Sequence, residues 1–172
     1  MGLKVGTVKV QEYNPDWPKM FEEEKKNLEK IFGSLALKIE HVGSTSVFGL
    51  PSKPIIDIIV VLDNFKDFEK VRKVFLDYPY SIKEDSGPDE ILIRRGTEDN
   101  RTHFIHVTEK SMIRAVDMLL FRDYLRNHPD TLKEYASLKM ELAQKYANNR
   151  KMYTSSKNDF IQNIIKKARS ES

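Results

Sequence analysis

The longest apolar run of the chain lies in its first half and predicts a buried strand. Residues 55–62 have the sequence IIDIIVVL, in which six of eight side chains are β-branched. Such a run is typical of a strand that is covered on both faces. Its one charged residue is Asp57, and burying a carboxylate without a partner is very costly. Asp57 is therefore predicted either to be a structural residue, paired with backbone amides or an arginine, or to bind a metal ion.

Shorter segments of alternating or apolar residues predict the rest of a sheet. Residues 5–13 alternate weakly and predict a short strand, and residues 35–42 predict another. A further strand is predicted over residues 80–84. Residues 90–95 and 101–108 predict the two strands of a hairpin. The polar and apolar pattern thus indicates a sheet assembled from several short segments around the apolar run.

Apolar residues at helical spacing predict helices between and after these strands. The first helix is predicted from the turn at residues 14–16 to Gly33, and a second covers residues 64–77. The last third is predicted to be helical, with one helix over residues 111–127 and the next beginning at Pro129. A final helix follows in the same third. At 172 residues, the chain is expected to form one domain or a domain with a helical appendage.

Small residues with free donors interrupt the chain just before the apolar run. Residues 43–46 have the sequence GSTS, and Gly49, Pro51 and Pro54 keep the following stretch irregular. The amides and hydroxyls of a Gly-Ser turn can bind phosphate oxygens. A nearby carboxylate such as Asp57 can hold the Mg²⁺ that those phosphates carry. The segment has neither the Gly-Lys-Ser/Thr of a P-loop nor the glycine pattern of a dinucleotide-binding turn.

The spacing of these residues resembles a known superfamily. Gly43-Ser44, twelve intervening residues and then Asp57-Ile58 resemble the signature of the nucleotidyltransferases of the DNA polymerase β type. The longer segment HVGSTSVFGLPSKPIIDI is similar to the GrpB-like family, an uncharacterised group assigned to that fold. The resemblance continues in RTHFIHV at 101–107 and in FRDYLRNHP at 121–129. It also includes spaced residues of the helical third: Tyr135, Leu138, Lys139, Leu142, Tyr146, Lys157 and Phe160.

The resemblance implies an α+β, polymerase-β-like nucleotidyltransferase fold with a mixed, mostly antiparallel sheet. Residues 1–110 would form the α/β core, and residues 111–172 would form a C-terminal helical layer on the same domain. The implied activity is transfer of a nucleotidyl group from a nucleoside triphosphate to an acceptor, with Mg²⁺ as cofactor. The chain departs from the superfamily pattern at Ile59, where a second carboxylate is expected two residues after Asp57. This departure favours the alternative, a catalytically inactive module that binds a nucleotide or a phosphorylated metabolite.

Several residues are candidates to hold the phosphates of such a ligand. Ser44 and Thr45, with the loop amides that follow Gly43, are predicted to bind the terminal phosphates. Lys139 and Lys157 fall on the apolar faces of two helices, where lysines usually extend to water. Two such lysines on adjacent inward faces could instead present ammonium groups to phosphates in a cleft between sheet and helices. Lys139 is therefore also a candidate catalytic residue.

Further basic residues are candidates to neutralise the charge of a phosphate. Lys53 lies in the irregular stretch before the apolar run. Arg122 and Arg126 are four residues apart on one predicted helix, and Asp123 lies beside them. They predict either a surface ion-pair network or a guanidinium fork that binds a phosphate or a substrate carboxylate. No covalent nucleophile is needed, because positioning and electrostatics would supply most of the catalysis.

Two histidines on one predicted strand are further candidates. His103 and His106 are three residues apart and therefore face opposite sides of the sheet. Either could replace the third carboxylate of a polymerase-type site, with His103 as a metal ligand beside Asp57 and His106 as a catalytic residue. The alternative is one histidine in the core and one at the surface. A metal-dependent phosphohydrolase that uses Asp57 with either histidine is a third function, and His41 is predicted to be structural.

Composition narrows the class of protein only slightly. Forty per cent hydrophobic and 32% charged residues are ordinary for a soluble protein. The absence of cysteine excludes disulfides, zinc thiolates and a cysteine nucleophile. No long apolar segment occurs near residue 1, so neither a signal peptide nor a membrane span is expected, and the predicted location is cytoplasmic. A net charge of +3 does not by itself indicate nucleic-acid binding, and the basic residues from Lys145 onward predict a solvated tail.

Overall fold

The structure is a computed structural model that describes residues 2–83 and 86–171. Within these residues, five strands form one sheet. The strands are β1 (Ala36–Val42), β2 (Ile56–Leu62), β3 (Tyr80–Lys83), β4 (Ile91–Gly96) and β5 (Arg101–Glu109). The strand predicted over residues 80–84 is thus present as β3, and Glu84 lies outside the described residues. The predicted hairpin is present as β4 and β5.

The apolar run forms β2, which lies inside the sheet in the strand order β1-β2-β5-β4-β3. β2 pairs antiparallel with β1 and parallel with β5, and β4 pairs antiparallel with both β5 and β3. Three of these four pairings of the described strands are antiparallel. The prediction of a mixed, mostly antiparallel sheet is therefore confirmed.

Helices cover both faces of this sheet, which is why β2 needs apolar side chains on both sides. The helices are α1 (Trp17–Phe32), α2 (Ile113–Asn127), α3 (Pro129–Lys145), α4 (Arg150–Ser155) and α5 (Asn158–Glu171). Ile56, Ile58 and Val60 of β2 pack in the core that contains α1. Ile59 and Val61 face the other way and pack against α2.

A second core joins the helical layer to the loop between β1 and β2. It contains Val47 and Leu50 of the loop, Phe121 of α2, Tyr135 of α3 and Ile164 of α5. The loop is therefore anchored to the helices through Val47 and Leu50, while Phe48 between them is exposed. The boundary predicted near residue 110 falls between β5 and α2.

Two predicted elements differ from the structure. Residues 5–13 form no strand; bridges at Leu3 and Gln11 are isolated, and the amide of Val8 donates to Ala147 beyond α3. This segment therefore crosses from the sheet to the helical layer. Residues 64–77 form two 3₁₀ helices, Phe65–Lys70 and Arg72–Phe75, rather than one α-helix. The apolar residues at positions 65, 68, 71 and 74 repeat every three residues, which is the period of a 3₁₀ helix.

Candidate functional site

The site begins at the turn after β1, where Gly43 lies against Asp57. Gly43 has a φ of 68°, in the left-handed region that favours glycine. A Cβ atom at this position would lie 2.6 Å from Oδ2 of Asp57. The register pairs Val42 with Asp57, so the turn and the carboxylate must approach closely. Ser44 to Ser46 then form a short 3₁₀ helix, which puts Ser44 beside the carboxylate.

Asp57 belongs to a row of alternating charges across the sheet. The parallel register of β2 and β5 places His106 on the same face as Asp57. His106 Nε2 is 3.5 Å from Asp57 Oδ1, and its Nδ1 is 2.6 Å from Glu90 Oε2. Arg114 Nε donates to the same Glu90 oxygen at 2.7 Å. The row therefore runs from carboxylate to imidazole to carboxylate to guanidinium.

The charges of this row support one another. Burial alone would lower the pKa of His106, but its hydrogen bonds to Asp57 and Glu90 and their negative charges raise it above the ordinary value. Burial alone would raise the pKa of Asp57. The hydrogen bond to His106 and the positive charges of His106 and Lys53 lower this pKa below its ordinary value. The two carboxylates therefore favour the protonated form of His106, and both of its ring nitrogens have a partner.

Above this row lies a cleft of about 270 Å³ between the sheet and the helical layer, which we call the basic lobe. Arg114, which pairs with Glu90, lines it, and so do four basic side chains without a carboxylate partner among the described residues: Lys53, Lys139, Arg150 and Lys157. Each of these four lies over an aromatic ring. The Nζ atoms of Lys53 and Lys157 are 5.3 Å and 4.2 Å from the ring centre of Tyr153. Lys139 lies 5.3 Å from the ring centre of Tyr135, and the Arg150 guanidinium 5.0 Å from that of Phe104.

These cations crowd one another. Burial, together with the charges of Arg150 and Lys157, lowers the pKa of Lys53 to about 7. Burial lowers the pKa of Lys157 to about 8, with Asp57 opposing and Arg150 adding to the effect. Burial and the two other lysines lower the pKa of Lys139 well below its ordinary value. Within residues 2–83 and 86–171, none of the four cations forms an ion pair.

A second cleft, the helical lobe, adjoins the first and has a volume of about 470 Å³. The two lobes share five residues: Ser44, Asp57, Arg114, Thr154 and Lys157. The helical lobe is lined by apolar residues of α2 and α5, including Phe121 and Ile161. The helical lobe thus combines apolar residues with polar ones such as Asp117 and Gln162, and the exposed part of Asp57, 30% of its side chain, lies where the two lobes meet.

The structure does not bring His103 to Asp57, although the sequence predicted it as a metal ligand there. His103 pairs with Ile56 and lies on the α1 face of the sheet, 3% exposed. Burial, together with the charge of Arg95, lowers its pKa to about 4, so its imidazole is neutral. Side chains alternate between the two faces of a strand, so residues three apart point to opposite sides of the sheet. His103 and His106 therefore cannot serve one site.

Arg122 and Arg126 also lie outside both lobes; both pair with Asp123, as in the ion-pair network that the sequence predicted as the alternative to a phosphate fork. Arg122 donates to Glu40 Oε2 at 2.6 Å and to the carbonyl of His41 at 3.1 Å. Arg126 donates to the carbonyl of Ser46 at 2.8 Å. Both guanidinium groups therefore tie α2 to the edge strand and to the turn, which they position without facing the cleft.

Thr45 lines the basic lobe, but its hydroxyl is already engaged. Thr45 Oγ1 lies 2.9 Å from Nε2 of His41 and 3.4 Å from the carbonyl of Ile55, and the residue is 2% exposed. The His41 ring stacks on Phe21 with 4.9 Å between ring centres. Thr45 and His41 thus hold the turn against α1, and Ser44 is the hydroxyl of the turn that both lobes share.

Four residues of the site were missed by the sequence analysis: Glu90, Arg114, Arg150 and Tyr153. Arg150 belongs to the basic segment that was predicted to be solvated, yet it lines the cleft while Lys151 is exposed. A signal was present, because Arg150, Tyr153 and Lys157 have the spacing of one helical face. Glu90 gave no local signal, since only the register of β4 on β5 brings it to His106.

The donors around Asp57 do not fit the metal centre that the superfamily resemblance implies. A pair of Mg²⁺ ions needs several anionic oxygen ligands. Ile59 stands at the second carboxylate position and is fully buried among apolar side chains. His106 has no free ring nitrogen, and no group of three histidine, aspartate or glutamate residues in the described chain could hold a metal. Binding of Mg²⁺ stays a prediction.

The fold is that of the nucleotidyltransferases. A crystal structure of a mutant Cid1 poly(U) polymerase bound to MgATP has a TM-score of 0.54 with this chain, over 78% of this chain and 44% of that chain. At 10% identity, this similarity concerns the fold alone. It confirms the predicted fold class.

Within that class, the chain belongs to the GrpB protein family, whose model matches residues 7–167. It is 34% identical to the Glutamate-rich protein GrpB of Alkalihalophilus pseudofirmus, over 96% of this chain and 98% of that protein. It is also 34% identical to conserved protein GrpB from Enterococcus faecalis, whose crystal structure has a TM-score of 0.87 over 95% of this chain and 98% of that chain. The predicted family is therefore confirmed. No helix among the described residues has the length and apolar character needed to cross a bilayer.

Proposed function

We propose that the basic lobe binds the phosphates of a nucleotide or of another phosphorylated small molecule. The observation that carries this proposal is the group of four cations without carboxylate partners. Lysine and arginine form strong, charge-assisted hydrogen bonds with phosphate oxygens. Ser44 adds a hydroxyl at the edge of the same cleft. Crowded, buried cations are costly in the free protein, where the charge of Asp57 acts on all four, and an anionic ligand would supply further negative charge.

We favour a binding module over a transferase. The second carboxylate position is occupied by Ile59, which cannot ligate a metal ion. His106 carries a positive charge where a polymerase-type site would need another anionic ligand. Both features suit recognition of an anion more than metal-assisted displacement.

Nucleotidyl transfer is the second candidate, and the two lobes support it. A phosphate in the basic lobe and an acceptor in the helical lobe would meet at Asp57 and Ser44. In the reaction, an acceptor oxygen would bond to the α-phosphorus and the bond to the bridging oxygen of the β-phosphate would break. Pyrophosphate would leave, and the acceptor proton would pass to solvent. This candidate carries the prediction of Mg²⁺ with it.

Calorimetric titration of ATP, GTP, CTP and UTP into the full chain tests the proposal, with and without Mg²⁺. Lys157→Met should weaken binding at least about tenfold, because it removes one phosphate donor. Lys166→Met is the matched control, since Lys166 is exposed on helix α5, which begins directly after Lys157, and it should bind like the original protein.

Failure of every nucleotide, of pyrophosphate and of sugar phosphates to bind would contradict the proposal. Pyrophosphate release in the presence of candidate acceptors would replace the binding module with the transferase.

A further inference from the structure

Counter-charge for a phosphate ligand has two sources in proteins, metal ions and side-chain cations. Few ligands for a metal ion lie around Asp57. Position 59 holds isoleucine rather than a second acidic residue, and the neighbouring His106 is a cation. Asp57 and Glu90 are both already opposed by His106, and Glu90 is opposed by Arg114 as well. The carboxylates of the site are thus largely neutralised within the protein.

Side-chain cations, in contrast, are plentiful in this cleft. Besides Arg114, the basic lobe carries four cations; Arg150 comes from α4, and Lys157 from the short link between α4 and α5. Lys53 comes from the loop before β2, and Lys139 comes from α3. Cations from separate parts of the chain therefore converge on one cleft, and no carboxylate of the described residues forms an ion pair with any of these four.

The four cations are also fixed in place before a ligand arrives. Tyr153 holds two ammonium groups against its ring, and the rings of Tyr135 and Phe104 each hold one further cation. Lys139 Nζ donates to the carbonyl of Pro51 and to the hydroxyl of Ser52, which fixes its position. Side chains that are ordered in advance lose less entropy when they bind.

We infer that the basic lobe binds an uncomplexed polyphosphate group directly through Lys53, Lys139, Arg150 and Lys157, with these four cations in place of metal ions. The inference rests on the proposed phosphate-binding function and specifies its ligand class. Several cations in one cleft suit a ligand with several negative charges, such as a nucleoside di- or triphosphate or inorganic triphosphate. Mg²⁺ in solution would compete with the protein, because it binds the same phosphate oxygens and removes their charge.

The test is calorimetric titration of sodium triphosphate and of ATP into the full chain, once with excess EDTA and once with saturating Mg²⁺. Both ligands should bind in EDTA, and Mg²⁺ should weaken binding. Orthophosphate should bind much more weakly than triphosphate, because it engages fewer of the four cations. Arg150→Met should weaken triphosphate binding in EDTA at least about tenfold.

Lys151→Met is the matched control, because Lys151 neighbours Arg150 on α4 but is exposed outside the cleft. It should leave the affinity unchanged. Lys53→Met is a second variant; it removes a buried charge and should fold, as circular dichroism would show, while also weakening binding. Equal loss in Arg150→Met and Lys151→Met would overturn the inference, because the attraction would then be a general surface effect.

Binding that requires Mg²⁺ would also overturn the inference while leaving the proposed function intact. Failure of all phosphate compounds to bind under either condition would overturn both. These two results are distinguishable within the same set of titrations.

Discussion

His103 and His106 lie three residues apart on β5, and the sheet separates them into two different environments. His103 faces the α1 core, where burial keeps its imidazole neutral and its Nε2 has no hydrogen-bond partner within the described chain. His106 faces the cleft, where two carboxylates keep it charged. The same residue type on the same strand is thus a packing residue on one face and part of an electrostatic network on the other.

The two faces of β2 repeat this difference. Ile56, Ile58 and Val60 fill the α1 face with apolar side chains. On the other face, Asp57 precedes the fully buried Ile59, so the polar part of that face is confined to one end of the strand. That end is where Gly43 and Ser44 lie. The site is therefore a polar edge on an otherwise apolar strand, and its charges must be satisfied by neighbouring elements.

The largest expected change in stability comes from removing the positive charge of His106, which lies on the cleft face of the sheet. His106→Leu should lower the free energy of unfolding at pH 7 by about 3 kcal/mol, because Asp57 and Glu90 lose the cation between them. Urea denaturation would measure the loss. Adding Asp57→Asn to this variant should recover part of it, since the uncompensated carboxylate is then absent. A loss below about 1 kcal/mol, as for a surface ion pair, would mean that His106 is not the charged centre of the row.

The next largest effect concerns the core face and depends on pH. The pKa of His103 is about 4 in the folded protein, whereas the ordinary value of a histidine is 6.5, so between these values only the unfolded chain binds this proton. Stability from this residue is therefore present above about pH 6.5 and is lost as the pH falls towards 4, by at most about 3 kcal/mol. His103→Leu should flatten the pH dependence of the free energy of unfolding in that window. His41, whose pKa is also lowered to about 4 by burial, should retain its share of the slope.

Ile105→Val is the control for His103→Leu, because Ile105 is buried on the same strand and face but does not titrate. It should lower stability by about 1 kcal/mol at every pH and leave the slope unchanged. An unchanged slope in His103→Leu as well would show that His103 does not remain neutral in the folded core.

The contrast between the two faces also explains what the sequence could predict. The strand, the turn and the α-helices follow from local signals, such as the apolar run at residues 55–62 and the break at Gly43. Asp57 was conspicuous because it interrupts an apolar pattern, and Lys139 and Lys157 because they lie on apolar helix faces. The 3₁₀ helices at 65–75 were mistaken for an α-helix, because a short stripe of period three also fits helical spacing.

Residues that depend on long-range register could not be predicted. Glu90 meets His106 only because β4 pairs with β5 in one particular register. Arg122 and Arg126 looked like phosphate ligands in the sequence, but which side of α2 faces the cleft depends on how that helix packs on β1. Arg150 belongs to a basic segment whose overall charge predicts exposure to solvent. The packing of its helix distinguishes Arg150 from its exposed neighbour Lys151.

The smallest expected effect is a pH dependence of triphosphate affinity, which arises from the lysines of the cleft. Lys53 and Lys157, with pKa values of about 7 and about 8, lose protons as the pH rises through that range, while a polyphosphate binds their charged forms. Affinity for triphosphate should therefore fall about tenfold, or about 1.4 kcal/mol, between pH 6.5 and 8.5. Titrations in two buffers of different ionisation enthalpy should detect proton uptake on binding. Lys53→Met should remove the part of this dependence near pH 7.

The stability of the free protein should change with pH in the opposite direction to the affinity. This difference separates a loss of affinity from a loss of folded protein. Between about pH 7 and the ordinary lysine pKa of 10.5, the unfolded chain keeps the proton of Lys53 that the folded protein has lost. The unfolded state binds more protons there, so the contribution of Lys53 to the free energy of unfolding rises with pH. Affinity that falls while stability rises over the same interval would identify buried lysines as the common cause. Affinity that is independent of pH would show that these lysines do not contact the ligand.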